Sequence, residues 1–189
     1  MRNDRARAGK IAVNAVMAGC EPAYMPAVVA AVEALVDKAF NAHGIQTTTN
    51  PVGPMIVFNG PVRQKLGIHY GAGCFGPGFK GNATIGRALR LVMLNVGGAT
   101  PGEVDKAPLG WPGKFTSCCI GENEEESPYE PFHVERGYRR EESTVTLIAA
   151  NGMWPITEMS PDKAMVLEHI TRGMTATGPS AGQEAPDHW

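Results

Sequence analysis

A chain of 189 residues, 43% hydrophobic and 19% charged, is long enough for one well-buried core, too short for two ordinary domains and too apolar to be disordered. Its formal net charge of -2, with acids and bases interspersed, argues against the concentrated basic surface that nucleic-acid binding needs. No stretch has the length of apolar sequence that crosses a bilayer, and the N-terminus lacks the apolar core of a secretory signal.

In chain order, Arg2, Arg5, Arg7 and Lys10 form a small basic cluster that reads as a flexible, solvated N-terminus over residues 1–9. The uninterrupted apolar run Ile11 to Met17 predicts a buried strand, broken at Ala18-Gly19. Pro22 and Pro26 fit the start of a helix, and Val28, Val32, Leu35, Val36 and Phe40 carry it at helical spacing to His43-Gly44. Pro54 to Phe58 is a second short strand, ending at Asn59-Gly60 and followed by a helical stretch from Val62 to Leu66.

A glycine-rich loop with Gly71, Gly73, Gly76, Gly78 and Gly81 comes next. Asn82 is then the expected N-cap of a helix bearing Ile85, Leu89, Val92, Met93 and Val96 on one face, closed by Gly97-Gly98. After a Pro/Gly-containing connection, a strand is expected from Lys114 to Ile120, followed by the acidic run Glu122, Glu124, Glu125, Glu126. Another strand spans Thr144 to Ala150, ending at Asn151-Gly152. Ser160-Pro161 opens a last helix to about Arg172, with Gly173 as its stop and 174–189 as a loose tail.

Recurring strand–turn–helix units predict an α/β fold, a mixed or mostly parallel sheet with helices on its faces, forming one domain over residues 10–173. Ligands in such sheets bind beyond the carboxyl ends of the strands. On this reading Cys20, Asn59, the loop after Ile120 and Asn151 face one crevice.

The four cysteines, Cys20, Cys74, Cys118 and Cys119, are too few and too irregularly spaced for a secreted disulfide scaffold. A cytoplasmic location and free thiols are expected. Cys20, in a turn leading into a helix, is a candidate nucleophilic or redox thiolate, because unpaired helix N–H groups stabilise negative sulfur. Cys118 and Cys119 are adjacent, so their side chains point to opposite faces of a strand, and Cys119 is the second candidate thiolate. Glu122 is a candidate general base and His133 its acid–base partner, from the polar-aromatic group Tyr129, Phe132, His133, Glu135, Arg136. Asn59, Gly76, Gly78 and Asn82 are candidates for holding a ligand or cofactor, since a glycine-rich loop before a helix lets backbone amides approach an anion. The loop has neither the Gly-Lys-Ser/Thr ending of a Walker loop nor the dinucleotide fingerprint.

The segments Met17-Ala18-Gly19-Cys20, Phe58-Asn59-Gly60-Pro61, Phe75-Gly76-Pro77-Gly78, Asn82-Ala83-Thr84-Ile85-Gly86-Arg87, Gly121-Glu122-Asn123-Glu124-Glu125 and His133-Val134-Glu135-Arg136-Gly137 resemble the C-terminal portion of the bacterial (seleno)protein group named for a UGSC or CGSC motif. The resemblance spans roughly residues 10 to 140 and implies thiol- or selenol-based redox chemistry. The Cys-Gly-Ser-Cys motif itself does not occur in this chain. The resemblance therefore implies that the motif belongs to a separate polypeptide and that this chain is one subunit of an oligomer.

Three functions compete on these residues. The first is a subunit of a cytoplasmic enzyme acting on a small molecule through a thiolate-based redox or nucleophilic site, with Glu122 and His133 moving protons. The second is a lyase or hydratase dependent on a divalent metal held by Cys and His, for which His69, Cys74, Cys119 and His133 are the available donors and Glu122 the base. The third is a noncatalytic binding or scaffold subunit of a homo- or hetero-oligomer that completes a partner's site.

Overall fold

The computed structural model describes residues 8–176. Its architecture is α/β: a mixed three-stranded sheet with helices packed against it. β1 (Gly53–Asn59) is the central strand. It pairs in parallel with β2 (Cys119–Gly121), Ile56 opposite Cys119 and Phe58 opposite Gly121. It pairs in antiparallel with β3 (Thr144–Ala150), Asn59 opposite Thr144 and Gly53 opposite Ala150.

The first predicted strand is a helix. α1 (Ala8–Ala18) buries Ile11, Asn14 and Ala15, an i, i+3, i+4 set, and leaves Val13, Val16 and Met17 exposed. A continuous apolar run does not distinguish a strand from a helix by periodicity alone, and the alanines in this one favour the helix. The buried Asn14 is satisfied by donating to the Lys10 carbonyl (2.8 Å) and accepting from Asn95 Nδ2 (2.6 Å). Gly19, at φ 88°, ends α1: its N–H bonds the Val16 carbonyl and the N–H of Cys20 bonds the Ala15 carbonyl, both at 2.9 Å. These are the paired bonds of a Schellman motif, in which the left-handed residue favours glycine.

α2 (Met25–Val36) stops earlier than the spacing predicts, because Asp37 is extended and caps a separate helical turn at Lys38–Phe40. A short helix, α3 (Ala42–Thr47), precedes β1, and α4 (Val62–Lys65) follows it. α5 (Lys80–Asn95) buries Ile85, Leu89, Val92 and Met93 as expected. It starts two residues before Asn82, with Phe79 at the N-cap position. The expected strand from Lys114 is instead a helical turn, α6 (Gly113–Thr116), then Ser117 in the left-handed region at φ 46°, and only then β2. α7 (Phe132–Glu135) is one turn.

The core is one cluster in which Ile11 and Ala15 of α1, Val28, Val32 and Leu35 of α2, and Ile85, Leu89 and Met93 of α5 meet Ile56 and Phe58 of β1. α2 lies against β3, α5 against β2, and α1 packs on α5 and α2. The chain divides after Gly152, inside the span 10–173 that the sequence reading treats as one domain. The second unit contains α8 (Lys163–Ala176), which runs through the expected stop at Gly173 and three residues into the expected tail. Gly173 lies within that helix, and Ile156 occupies the space where its Cβ would be, the nearest atom 2.6 Å away. The predicted flexible N-terminus and loose tail otherwise lie outside the described residues, although Ala8 and Gly9 already belong to α1. Among the described residues no helix is long and apolar enough to cross a membrane.

One close approach fixes where α5 meets the chain before β2. A Cβ on Gly86 would lie 2.0 Å from the Thr116 carbonyl oxygen and 2.8 Å from that of Ser117. Backbone cannot retreat from such a contact without moving a whole element. Gly86→Ala is expected to lower stability by about 1–3 kcal/mol, as overpacking of a tight site does. The measurement is urea unfolding followed by circular dichroism, and an unchanged midpoint would show that the two segments separate freely.

Candidate functional site

Two groups of predicted site residues are brought together, at opposite ends of β2. At its carboxyl end lies a buried polar cluster, built where parallel β1 and β2 both terminate. Asn59, fully buried at the end of β1, donates through Nδ2 to Glu122 Oε2 and, at 3.0 Å, to Glu124 Oε1. Glu124 Oε1 also accepts from the Gly60 N–H at 2.7 Å. Arg63, 2% exposed on α4, is the cation of the cluster. Its guanidinium pairs with Glu124 at 2.8 Å, takes Glu125 in a two-pronged grip at 3.0 Å on each oxygen, and donates to the Glu122 carbonyl at 2.5 Å. The Tyr70 ring lies under the guanidinium, 4.6 Å from its carbon.

Glu122 completes its contacts by accepting from the Phe132 N–H at 3.0 Å. His133, 1% exposed, donates from Nε2 to the Arg140 carbonyl at 3.3 Å, while its Nδ1 has no hydrogen-bond partner and lies 3.9 Å from Glu124 Oε1. Asn59, Glu122 and His133 are therefore neighbours, as the sequence reading expects. The residues it missed are Arg63 and Glu124, which tie them together. The signal was available in the acidic run itself: carboxylates this close in sequence fold into the interior only with a cation to meet them.

The carboxylates of the cluster are engaged, whereas Asn59 Oδ1 and His133 Nδ1 are buried without a hydrogen-bond partner. Each carboxylate is occupied by Asn59, Arg63 or backbone N–H groups, an arrangement suited to fixing the ends of β1 and β2 to the loop that follows. Arg63 holds the Glu125 carboxyl below its ordinary value, chiefly through the hydrogen bond.

At the amino end of β2 a cavity of about 260 Å³ is lined by Cys74, Cys118 and Cys119, together with Phe75, Gly76 and Asn82. All four cysteines are free thiols, and Cys20 lies near enough to Cys119 for a charge on one to disfavour charge on the other. The glycine loop is drawn to this place by Asn82. Its side chain accepts from the His69 N–H at 2.8 Å and donates to the carbonyls of His69 at 2.9 Å and Cys74 at 3.2 Å. Asn82 thus serves as a clamp inside the first turn of α5 rather than as its N-cap. Gly76 lies in a tight turn, its N–H bonded to the Gly73 carbonyl at 2.7 Å. Gly78, at φ 108°, is exposed beyond the cavity lining.

The expected single crevice does not form. Cys20 follows the end of α1, not a strand, although it does lead into the helical turn Pro22–Tyr24 that continues as α2. Burial pushes its thiol up, and Sγ donates to the Thr84 carbonyl at 3.3 Å. Because β3 is antiparallel to β1, Asn151 lies beyond the Gly53 end of the sheet, away from Asn59. Glu122 and His133 do not line the cysteine cavity.

Cys119 belongs to the hydrophobic core, and burial raises its thiol far above the ordinary range. Burial also raises Cys118, which is only half-buried. Cys74 and Cys118 are thus the more accessible thiols of the cavity, and the sequence reading placed its candidates on Cys20 and Cys119. Among the described residues no group of three or more His, Cys, Asp or Glu has metal-holding geometry, and His69 is stacked on Phe79 at 3.7 Å rather than gathered with Cys119 and His133.

Removing Arg63 would strand the buried Glu124 carboxylate. Arg63→Ala is expected to cost about 3–5 kcal/mol in denaturant unfolding, with Glu124→Gln in the same background recovering part of the loss. The Glu125 contribution also predicts a pH dependence. Its folded value lies below the unfolded one near 4.5, so this stabilisation is full above that pH and disappears as pH falls through the lower folded value. Thermal melts from pH 7 down to 3 should show a smaller acid-induced decline in Glu125→Gln than in the parent. Set against family models, curated proteins and solved structures, the chain matches none of them.

Proposed function

We propose that this chain is a thiol-dependent enzyme subunit, working in the reducing cytoplasm on a small molecule held in the cysteine-lined cavity. The observation that carries the reading is the gathering of Cys74, Cys118 and Cys119 around one 260 Å³ space, with Cys20 close behind Cys119. Cys74 lies more than forty residues from the adjacent Cys118 and Cys119 in the sequence, yet all three line this one space. The exposed apolar residues Val13, Val16 and Met17 on α1 support assembly with a second chain.

The chemistry that several thiols in one cavity suit is exchange with a small disulfide. The thiolate of Cys118 or Cys74 attacks one substrate sulfur. The substrate S–S bond breaks, and its electron pair leaves on the other half, which takes up the proton released by the attacking thiol. A second cavity thiol then attacks the mixed disulfide, freeing the remaining half as a thiol and leaving a disulfide in the protein. The substrate gains two electrons and two protons, and the protein dithiol loses them.

Incubation with 2-hydroxyethyl disulfide, followed by intact-mass measurement without denaturant, tests the proposal. Wild-type protein should lose the mass of two hydrogens, whereas Cys118→Ser and Cys74→Ser should halt at a mixed adduct. Because burial raises the Cys118 thiol above its ordinary value of 9.0, its thiolate fraction, and with it the initial rate, should still climb as pH passes 9. Random adducts on all exposed thiols with no internal disulfide would overturn the reading.

A further inference from the structure

A second cavity, of about 620 Å³, lies on another stretch of α5 and is unconnected with thiol chemistry. Its lining combines three cationic side chains, Arg87, Arg90 and Lys114, with apolar surface from Leu94, Trp111 and Phe115. Asp105 is the single carboxylate among the lining residues. That carboxylate is already shared: Lys114 Nζ lies 2.8 Å from one oxygen and Arg90 Nη2 lies 3.5 Å from the other. Arg87 has no carboxylate partner there and donates through Nη1 to the Phe115 carbonyl at 2.8 Å. The wall therefore carries positive charge in excess of what Asp105 offsets.

Two lining residues also hold buried donors with no hydrogen-bond partner, Arg90 Nη1 and Trp111 Nε1. Arg90 is 7% exposed, and a guanidinium at that depth keeps a donor unmatched only at a free-energy cost. Burial pushes the Arg90 pKa down, Asp105 pushes it up, and the like charge of Arg87 pushes it down again. An anion placed between the two arginines would relieve that repulsion. The Trp111 and Phe115 side chains suit a flat apolar body, and the volume falls within the range of small-ligand sites.

We propose that this cavity is a binding site for a small organic carboxylate with an aromatic or apolar body, its carboxylate held by Arg87 and Arg90 and its body against Trp111 and Phe115. An organic acid fits better than an inorganic anion because most of the wall offers no donor. The apolar part gains from leaving water while the arginines fix the orientation, the division of roles found in preformed ligand pockets.

The test uses the full chain labelled with nitrogen-15, in which the Trp111 indole N–H is identified among those of Trp111, Trp154 and Trp189 by its loss in Trp111→Phe. Sodium benzoate should move the Trp111 signal saturably, and the neutral benzamide should bind at least about tenfold more weakly, since a charge-assisted bond is lost. Arg87→Gln should weaken benzoate about tenfold and leave benzamide unchanged, while Arg87→Lys should retain part of the benzoate affinity. The half-buried Arg87 is chosen because replacing the buried Arg90 risks unfolding, and a melt of each variant confirms folding. Equal affinity for the acid and the amide, inorganic phosphate competing as well as benzoate, a signal moving only for another tryptophan, or an unchanged benzoate affinity in folded Arg87→Gln would each overturn the proposal.

Discussion

The contact on which both cavities depend is the seating of the Thr116 carbonyl against Gly86, at a spot where any side chain on α5 would collide with backbone. It presses the segment from Trp111 to Cys119 along the helix, so that successive residues of this segment face different parts of α5. Trp111, Lys114 and Phe115 meet the Arg87, Arg90 and Leu94 stretch, whereas Thr116, Cys118 and Cys119 meet Asn82 and Ala83. The same constraint explains the left-handed Ser117, whose φ of 46° turns the chain out of α6 and into β2 directly after the contact. A tight helix crossing thus becomes the partition between a thiol-lined space and a cationic one.

Arg63 plays the equivalent part at the other end of β2. Burying a charge is unfavourable unless its partners go with it, and here one guanidinium answers two carboxylates and two backbone carbonyls, of Gly60 and Glu122. Gly60 permits the arrangement. At φ 76°, with the Glu142 carbonyl 2.0 Å from where a Cβ would stand, that position accepts no side chain, and its free N–H is turned to Glu124. The cluster accordingly joins α4, the ends of β1 and β2 and the chain leading to β3, which lets a sheet of only three strands keep a defined edge.

Much of this was legible in the sequence wherever one physical signal acted alone. β1, α4, α5 and β3 follow from apolar runs and glycine stops, the proximity of Asn59 and Glu122 follows from placing strand ends together, and His133 was grouped with Glu122 from the polar-aromatic residues after the acidic run. α1 was misread because its exposed Val13, Val16 and Met17 fill the gaps that would have revealed helical spacing. That error carried Cys20 to the end of a strand that does not exist, and with it the idea of one crevice. The antiparallel course of β3 displaced Asn151 in the same way, since strand direction is a property of connections and not of the strand's own residues. Asn82 was recognised as important for the wrong reason. Its amide could serve an N-cap or bridge a loop, and only the position of His69 and Cys74 decides between them.

Burial sets Cys119 apart from the other three cysteines, which are all half-buried. A thiolate needs water or a cation, and Cys119 has neither, being enclosed by the core and further disfavoured by Cys118 and Cys20. Cys20 has Lys80 nearby to favour its ionised form, but the Lys80 ammonium is already paired with Glu21 at 2.9 Å. What remains is a gradient of accessibility across one cavity, from Cys74 and Cys118 at half burial to Cys119 in the core. In the proposed exchange Cys74 and Cys118, the half-buried thiols of the cavity, are the pair that a disulfide would meet, while Cys119 stays protonated in the core.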